Sequence, residues 1–166
     1  MPSMTHLTHE YIKALFDYLP EGNLLRKIKT GQTTFAGQIV RGQSTSTGHV
    51  RLKIHGGTFY MHHVIWCWHH GTWPTYLDHI NNNPSDNRIE NLREATHTQN
   101  MWNSRGRAGK TGIKGVVWEK AKKRYRVRMR ANGKRLSFGY FKTLEEARIA
   151  VEAARTTYHG EFARHE

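Results

Sequence analysis

The chain has 166 residues, with 26 Lys or Arg against 13 Asp or Glu, so its formal net charge is +13. With 11% aromatic residues it is expected to fold, and its charge favours a nucleic-acid partner over an anionic membrane surface. A single cysteine, Cys67, excludes an intramolecular disulfide framework and a Cys-rich zinc finger. No apolar run suits a signal peptide or a bilayer span, so we expect a soluble protein of the cytoplasm.

The positive charge is concentrated in the last third of the chain. Residues 1–104 hold 9 Lys or Arg and 7 Asp or Glu, a net +2, whereas residues 105–166 hold 17 and 6, a net +11. The run 104–112 is rich in glycine and basic residues, which is typical of a flexible linker. We therefore predict a nearly neutral domain over 1–103 and a strongly basic domain over 113–166.

The first predicted elements are a helix and a hairpin. Apolar residues recur at helical spacing over 11–19 and stop at Pro20, which predicts an opening helix. Apolar and polar residues alternate strictly over 50–54, and the pair Gly56-Gly57 follows. That pattern predicts a β-hairpin.

A histidine-rich helix is predicted next, over 62–70, ending at Gly71. Its buried face is expected to contain Val64, Ile65 and Trp68. The four histidines form two pairs seven residues apart, which is about two helical turns. One metal ion would not bridge that separation comfortably, so packing and polar helix ends are favoured over a zinc site.

The most informative stretch is 76–100. Alternation over 76–80 predicts a short strand, and the Asn- and Asp-rich run 81–87 predicts a turn. Residues 89–93 could pair back as a second strand, and a helix is predicted from Ala95 onward. The expected order is strand, long loop, strand, helix.

This stretch resembles the HNH nuclease motif of the phage and intron homing endonucleases, D-H-I-N-x-N-P-x-D-N-R-x-x-N-L-R, and the resemblance extends over about 45–103. Position by position, it implies that Asp78 is the first metal ligand and His79 the general base. It further implies that Asn91 is the central asparagine that braces the loop and that Asn100 is the second metal ligand. The spacing of twelve residues from His79 to Asn91 and that of nine from Asn91 to Asn100 both agree with the family motif.

These residue types suit phosphodiester hydrolysis, which needs a base for water and a cation for the developing charge. A histidine with a pKa near neutrality suits the role proposed for His79. The carboxylate of Asp78 and the amide oxygen of Asn100 favour Mg²⁺, or another divalent cation such as Mn²⁺, that keeps several waters. Asn91 has the donors and the acceptor to lock the loop and thereby orient His79.

Three neighbouring residues have open roles. Arg93 suits a phosphate clamp, although a surface salt bridge to Glu90 or Glu94 explains it equally well. His97 and Asn103 lie one helical turn on either side of Asn100 and could face the same site.

The basic domain is predicted as three antiparallel strands packed on one helix. Residues 115–119 suggest a first strand, and in 124–130 arginine alternates with tyrosine, valine and methionine. The hairpin signal Asn132-Gly133 leads to alternation over 135–141, and Thr143 caps an amphipathic helix that follows.

This domain resembles the plant ethylene-response-factor (apetala-two-type) DNA-binding domain as it occurs fused to phage HNH endonucleases. The motifs are G-V-x-W, R-Y-R-V-R-M-R, G-Y-F-x-T-x-E-E-A and Y-H-G-E-F-A. In that family the sheet enters the major groove through Arg and Trp. Val117 and Ser137 stand where plant members place Arg and Trp, so the resemblance carries no target sequence. The predicted DNA contacts are Trp118, Arg124, Arg126, Arg128, Arg130 and Arg135; a solvated strand face is the alternative for the arginines.

The sequence thus predicts an α+β protein, with a small ββα-metal nuclease domain followed by the three-stranded sheet and helix. The predicted function is metal-dependent cleavage of double-stranded DNA by a homing-type nicking enzyme, acting as a monomer, in the host cytoplasm if a phage encodes it. One alternative is a DNA-binding transcriptional regulator with an inactive HNH-like unit. Another is an RNA-binding protein that stacks bases on exposed aromatic side chains.

Overall fold

The computed structural model describes residues 7–103, 109–131 and 133–164. The chain divides into two compact units, Met1–Thr96 and His97–Glu166. The helix that the sequence assigns to the end of the first domain is thereby grouped with the second unit. Residues 104–108 of the predicted linker lie outside the described residues. None of the described helices has the length and apolar character needed to cross a membrane.

Over its described residues, 7–96, the first unit combines two α-helices with eight short strands. The helices are α1 (His9–Leu15) and α2 (Met61–His70). The strands are β1 (Phe16–Leu19), β2 (Asn23–Arg26), β3 (Ile39–Val40), β4 (Gln43–Ser44), β5 (Val50–Ile54), β6 (Gly57–Tyr60), β7 (Leu77–His79) and β8 (Leu92–Glu94). They form two antiparallel three-stranded sheets, β1-β2-β3 and β4-β5-β6, and the two-stranded sheet β7-β8.

The predicted opening helix is too long. Thr8 caps α1 by accepting a hydrogen bond from the backbone of Tyr11, and the helix ends at Leu15. The next four residues form β1, which pairs with β2. The turn between them needs Gly22, which has φ +81° and whose absent Cβ would lie 2.4 Å from the backbone nitrogen of Arg88. A short apolar run fits helical spacing and strand alternation equally well, so periodicity alone does not choose between them.

The predicted hairpin and histidine-rich helix are confirmed. Strands β5 and β6 pair around Gly56-Gly57, and α2 ends at Gly71 in the left-handed conformation. Val64 and Ile65 are fully buried, whereas Trp68 is only half-buried. They join an apolar core that also takes Phe16 from β1. This core holds α2, and the two histidines at its start, in a fixed place.

The second unit contains the helix α3 (His97–Asn103), the strands β9 (Val116–Glu119), β10 (Arg124–Ala131) and β11 (Lys134–Phe141), and the helix α4 (Leu144–His159). The strands form an antiparallel sheet in the order β11-β10-β9. Val151 of α4 packs with Val116 and Val127 in a small core. Thr143 caps α4 in a reciprocal capping box with Glu146. The predicted sheet and helix are confirmed; Asn132 of the predicted turn lies outside the described residues.

Candidate active site

The residues matched to the base and the first metal ligand lie on β7, and all three residues of this strand are buried. The strand pairs antiparallel with β8, so that Asp78 lies opposite Arg93 and His79 opposite Leu92. Two side chains that are directly opposite in an antiparallel pair project from the same face. The register of this short ladder therefore decides which groups meet Asp78 and His79.

Asp78 forms an ion pair with Arg93 that is almost excluded from solvent. The Nε and Nη2 atoms of Arg93 donate to Oδ2 of Asp78 at 2.9 and 2.7 Å. The Asp78 side chain is 4% exposed and that of Arg93 is 14% exposed. The sequence left a phosphate clamp and a surface bridge to Glu90 or Glu94 open for Arg93. The structure shows an ion pair with the buried Asp78, because the strand register aims the guanidinium at this residue.

Asn91 ties together both ends of the loop that follows β7. Its Nδ2 donates to Oδ1 of Asn81 at 3.0 Å and to the carbonyl of Asp86 at 2.8 Å. Its Oδ1 accepts a hydrogen bond from the backbone of Asn81 at 3.0 Å. Arg88 donates one hydrogen bond to each carboxylate oxygen of Asp86 and thereby lowers the pKa of Asp86 to about 2, so Asp86 remains ionised at neutral pH. The buried asparagine thus uses both donors and its acceptor on the loop.

A further asparagine holds the ring of His79. Oδ1 of Asn87 lies 3.3 Å from Nε2 of His79, and Nδ2 of Asn87 donates to the carbonyl of Ser85 at 3.2 Å. A carbonyl only accepts, so the amide group of Asn87 must face Ser85 and its oxygen must face His79. Nε2 of His79 therefore carries the proton and donates it, which leaves the lone pair of a neutral ring on Nδ1. The sequence did not single out Asn87, although it lies in the D-N-R of the motif.

Three more histidines surround His79, and together the four form what we term the histidine cluster. The ring of His62 lies 4.9 Å from that of His79, His49 lies 5.7 Å from it, and His63 contacts His62 at 4.7 Å. Burial lowers the pKa of His62 to about 2 and that of His63 to about 4, and it also lowers the pKa of His79. All of these rings are therefore neutral at pH 7, so the base is in its proton-accepting form.

The described rings of the histidine cluster are not arranged as a set of metal ligands. Within 7–103, 109–131 and 133–164, no group of three or more His, Cys, Asp or Glu side chains could hold a metal ion. The sequence analysis favoured packing and polar helix ends for the histidines of α2. The position of the pair at the start of this helix beside the base was not predicted, because it depends on the tertiary contact of His62 in α2 with His79 in β7 and not on a local pattern.

Asn100, matched to the second metal ligand, lies on α3 in the second unit and is half-buried. On the same helix His97 is exposed and Asn103 is buried. The helix is fastened within that unit by Trp102, whose ring stacks on His159 at 4.3 Å. Lys114 donates to the carbonyls of Met101 and Trp102 at 3.1 and 3.3 Å. A cation at a helix C-terminus satisfies open carbonyls and favours the helix dipole.

Arginines line one face of the C-terminal sheet, as predicted. Val127 is fully buried and Ala131 nearly so, which turns the alternate residues of β10 to the other face. Arg135 of β11 lies directly opposite Arg130 and therefore shares that face. We call this set the arginine row: Arg124, Arg126, Arg128, Arg130 and Arg135.

Trp118 does not belong to the arginine row. It lies opposite Tyr125 in the β9–β10 ladder, and the two rings meet edge to face at 4.8 Å. Val117, rather than Trp118, lies opposite Arg126. The structure therefore places this predicted DNA contact on the face away from the arginines.

Comparison with known proteins supports the HNH assignment of the first domain. The HNH endonuclease family matches residues 59–102. The chain is also similar to "Protein 3.8" of Escherichia phage T7, with 33% identity over 106 residues that cover 62% of this chain and 87% of the phage protein. No solved structure matches the chain.

Proposed function

Because the chain belongs to the family of protein 3.8 of Escherichia phage T7 and carries an HNH endonuclease domain, we propose that it is a metal-dependent endonuclease for double-stranded DNA. The observation that carries this proposal is the buried pair Asp78-His79, with the imidazole of His79 held by Asn87 and its loop braced by Asn91. Polar groups removed from water need partners, and the partners present here hold the carboxylate and the imidazole in defined orientations.

In the proposed reaction, Nδ1 of His79 removes a proton from water, and the water oxygen attacks the scissile phosphorus. In the imidazolium that forms, Nε2 keeps its proton and still donates it to Oδ1 of Asn87. This hydrogen bond holds the ring in its orientation as it becomes charged. The bond from phosphorus to the 3′ oxygen then breaks, and the leaving oxygen takes a proton from water, which gives 5′-phosphate and 3′-hydroxyl ends, as in the enzymes that the motif resembles. His79 and Asn91 are the residues assigned to catalysis.

Asp78 and Asn100 are the proposed ligands of a divalent cation. A carboxylate and an amide oxygen are hard donors, and so few protein ligands suit Mg²⁺ or Mn²⁺ that keeps several waters. When bound, the ion would neutralise charge on the scissile phosphate. Arg93 fixes the Asp78 carboxylate through two hydrogen bonds to one oxygen. The contact of Arg93 with DNA stays a prediction.

The C-terminal unit is the proposed DNA-reading part, as the resemblance to ethylene-response-factor domains implies. The arginine row supplies the donors for phosphates and for guanine edges. Trp118 remains a candidate only for a contact outside this row. With one HNH constellation in the sequence, we propose a homing-type enzyme that works as a monomer in the host cytoplasm and nicks one strand.

A DNA-binding regulator with an inactive HNH-like unit is the second candidate. The observation that favours it is the ion pair of Asp78, because Oδ2 of this carboxylate already accepts two hydrogen bonds from Arg93. A regulator would bind DNA without cutting it, whether or not a divalent cation is present.

Plasmid nicking tests the proposal. Wild type, His79→Ala and the control His70→Ala, which alters an exposed histidine of α2, are incubated with supercoiled plasmid in Mg²⁺ or in EDTA. We expect wild type and the control to convert plasmid to open circle only with Mg²⁺, and His79→Ala to be slower by roughly two to four orders of magnitude. DNA binding by wild type without metal-stimulated nicking would favour the regulator. Cleavage by His79→Ala at the wild-type rate would refute the assigned base.

A further inference from the structure

A groove of about 800 Å³ lies in the first unit and is lined mainly by residues of the strands β2 to β6 and the turns between them. Its lining includes the cationic side chains of Arg26, Arg41, Arg51 and Lys53, and no Asp or Glu is among the described residues that line it. Hydroxyl and amide side chains, such as those of Thr34, Gln38 and Gln43, complete it. The groove therefore offers hydrogen-bond donors and positive charge in one concave surface.

The alternation of β5 explains why two of the cations point outward. Val50, Leu52 and Ile54 are buried, so Arg51 and Lys53 face solvent. Arg51 lies opposite Gln43 of β4, and Lys53 lies opposite Thr58 of β6. One face of this sheet is thus apolar and packed, and the other is cationic.

No carboxylate in the described part of the chain neutralises these four cations. The ion pairs there involve other basic residues, namely Lys27, Arg88, Arg93 and Arg148. Like charges gathered in a concave surface raise the local potential and attract a polyanion. The basic residues of this part of the chain are clustered at the groove, because residues 1–104 hold nine Lys or Arg in all and four of the nine line it.

A series of side-chain contacts links Arg51 of the groove to the base of the active site. Arg51 donates from Nη2 to the hydroxyl of Tyr60 at 2.7 Å. The ring of Tyr60 lies 5.7 Å from that of His49, which in turn lies 5.7 Å from the ring of His79. Phosphates of one DNA strand follow each other every ~3.4 Å along the helix axis. A backbone that lies in the groove would therefore be only a few phosphates from the bond at His79.

We propose that this groove binds the sugar–phosphate backbone of the duplex that the nuclease cuts, an inference that rests on the proposed function. Arginine, lysine, hydroxyl and amide donors are the groups that proteins use for phosphate contacts, which position DNA without selecting a sequence. The nuclease unit then holds its own segment of DNA, in addition to the segment bound by the arginine row.

The test compares two charge-matched double variants of the full chain. Arg41→Gln/Lys53→Gln removes two exposed groove cations, and Lys13→Gln/Lys27→Gln removes two exposed cations of the same unit that do not line the groove. Binding to a labelled 30-bp duplex is measured by anisotropy in EDTA at several salt concentrations. We expect the groove variant to lose roughly tenfold or more in affinity at 0.1 M salt. Its slope of log K against log salt should be smaller by about 1.8, at about 0.9 per lost phosphate contact.

Plasmid nicking in Mg²⁺ is measured in parallel, and the groove variant should need more DNA for half-maximal rate while its rate at saturation is unchanged. Equal effects of the two double variants would overturn the groove, since net charge alone would explain them. Tighter binding of the wild type to double-stranded RNA of the same length would overturn the assignment to DNA. If the two double variants differ in duplex binding in EDTA as expected but the wild type never nicks plasmid, the proposed function is refuted and the assignment of the groove to DNA binding stands.

Discussion

At the scale of single residues, the environment of His79 includes side chains that the D-H-I-N-x-N-P-x-D-N-R-x-x-N-L-R motif does not contain. His49 directly precedes β5 and His62 lies in α2, and their rings lie within 6 Å of the His79 ring. Asn87 lies in the motif, but its role follows only from the direction of its amide group. Each of these neighbours leads to a measurable expectation.

Asn87 is expected to fix the tautomer of His79. In Asn87→Leu the ring loses the acceptor for its Nε2 proton, and we expect nicking to fall by about 10- to 100-fold, the usual scale for a lost supporting hydrogen bond. Asn87→Asp keeps an acceptor oxygen and should retain much more activity. Nitrogen-15 NMR of the ring should show the Nε2-protonated form in wild type and a mixture in Asn87→Leu. An unchanged tautomer in a slow Asn87→Leu would mean that the asparagine acts only on folding.

The buried histidines predict loss of stability in acid. Burial lowers the folded-state pKa of His62 to about 2 and of His63 to about 4, against 6.5 ordinarily. Between these values the unfolded chain binds more protons, so the free energy of unfolding falls as the pH drops below 6.5. Nδ1 of His62 has no hydrogen-bond partner among the described residues, so His62→Phe breaks no bond there.

We expect that in His62→Phe the free energy of unfolding declines less steeply between pH 6.5 and 4.5 than in wild type, by up to about 1.4 kcal/mol per pH unit. Urea denaturation at several pH values measures it. His70→Phe, at an exposed position on the same helix, should leave the slope as it is in wild type. The expectation fails if both variants change the slope equally.

At the scale of elements, what the sequence predicted and what it missed have separate causes. The β5–β6 hairpin, α2 and the capped α4 each carry a local signal, so they were predictable. The pairing of Asp78 with Arg93 was not, because it depends on the register of β7 against β8. That register is set by the irregular loop between them rather than by alternation within three-residue strands. Likewise, the face of the sheet on which Trp118 lies was not predicted, because a shift of one residue reverses the face of a strand.

The arginine row should read bases while other cations of the sheet hold phosphates. Arg128→Gln/Arg130→Gln removes two exposed members of the row, and Lys122→Gln/Lys123→Gln removes two exposed lysines before β10. We expect the first pair to reduce the preference for cognate over random DNA, and the second to weaken both equally. Selection from a random DNA pool followed by anisotropy measures the two ratios. Identical ratios in both variants would exclude base contacts by Arg128 and Arg130.

At the scale of the whole molecule, most of the net positive charge and the helix α3, on which Asn100 lies, belong to the same compact unit. Ending the chain after Asn103 removes a net +11, but it also removes the stack of Trp102 on His159 and the two bonds from Lys114. We expect this truncation to lose duplex affinity, with a flatter salt dependence. We also expect nicking to stay low at saturating DNA, because α3 has lost its packing partners. Wild-type nicking at saturating DNA would show that α3 does not need them.

The anchoring of α3 has a consequence for engineering. The HNH match runs to residue 102, whereas the compact units divide between residues 96 and 97. A chimaera that exchanges the C-terminal sheet at the glycine-rich run would keep α3 but separate Trp102 from His159, on which its ring stacks. A junction at 96/97 would preserve that packing and bring in the incoming protein's version of Asn100. New specificities are therefore best sought by transplanting α3 together with the sheet.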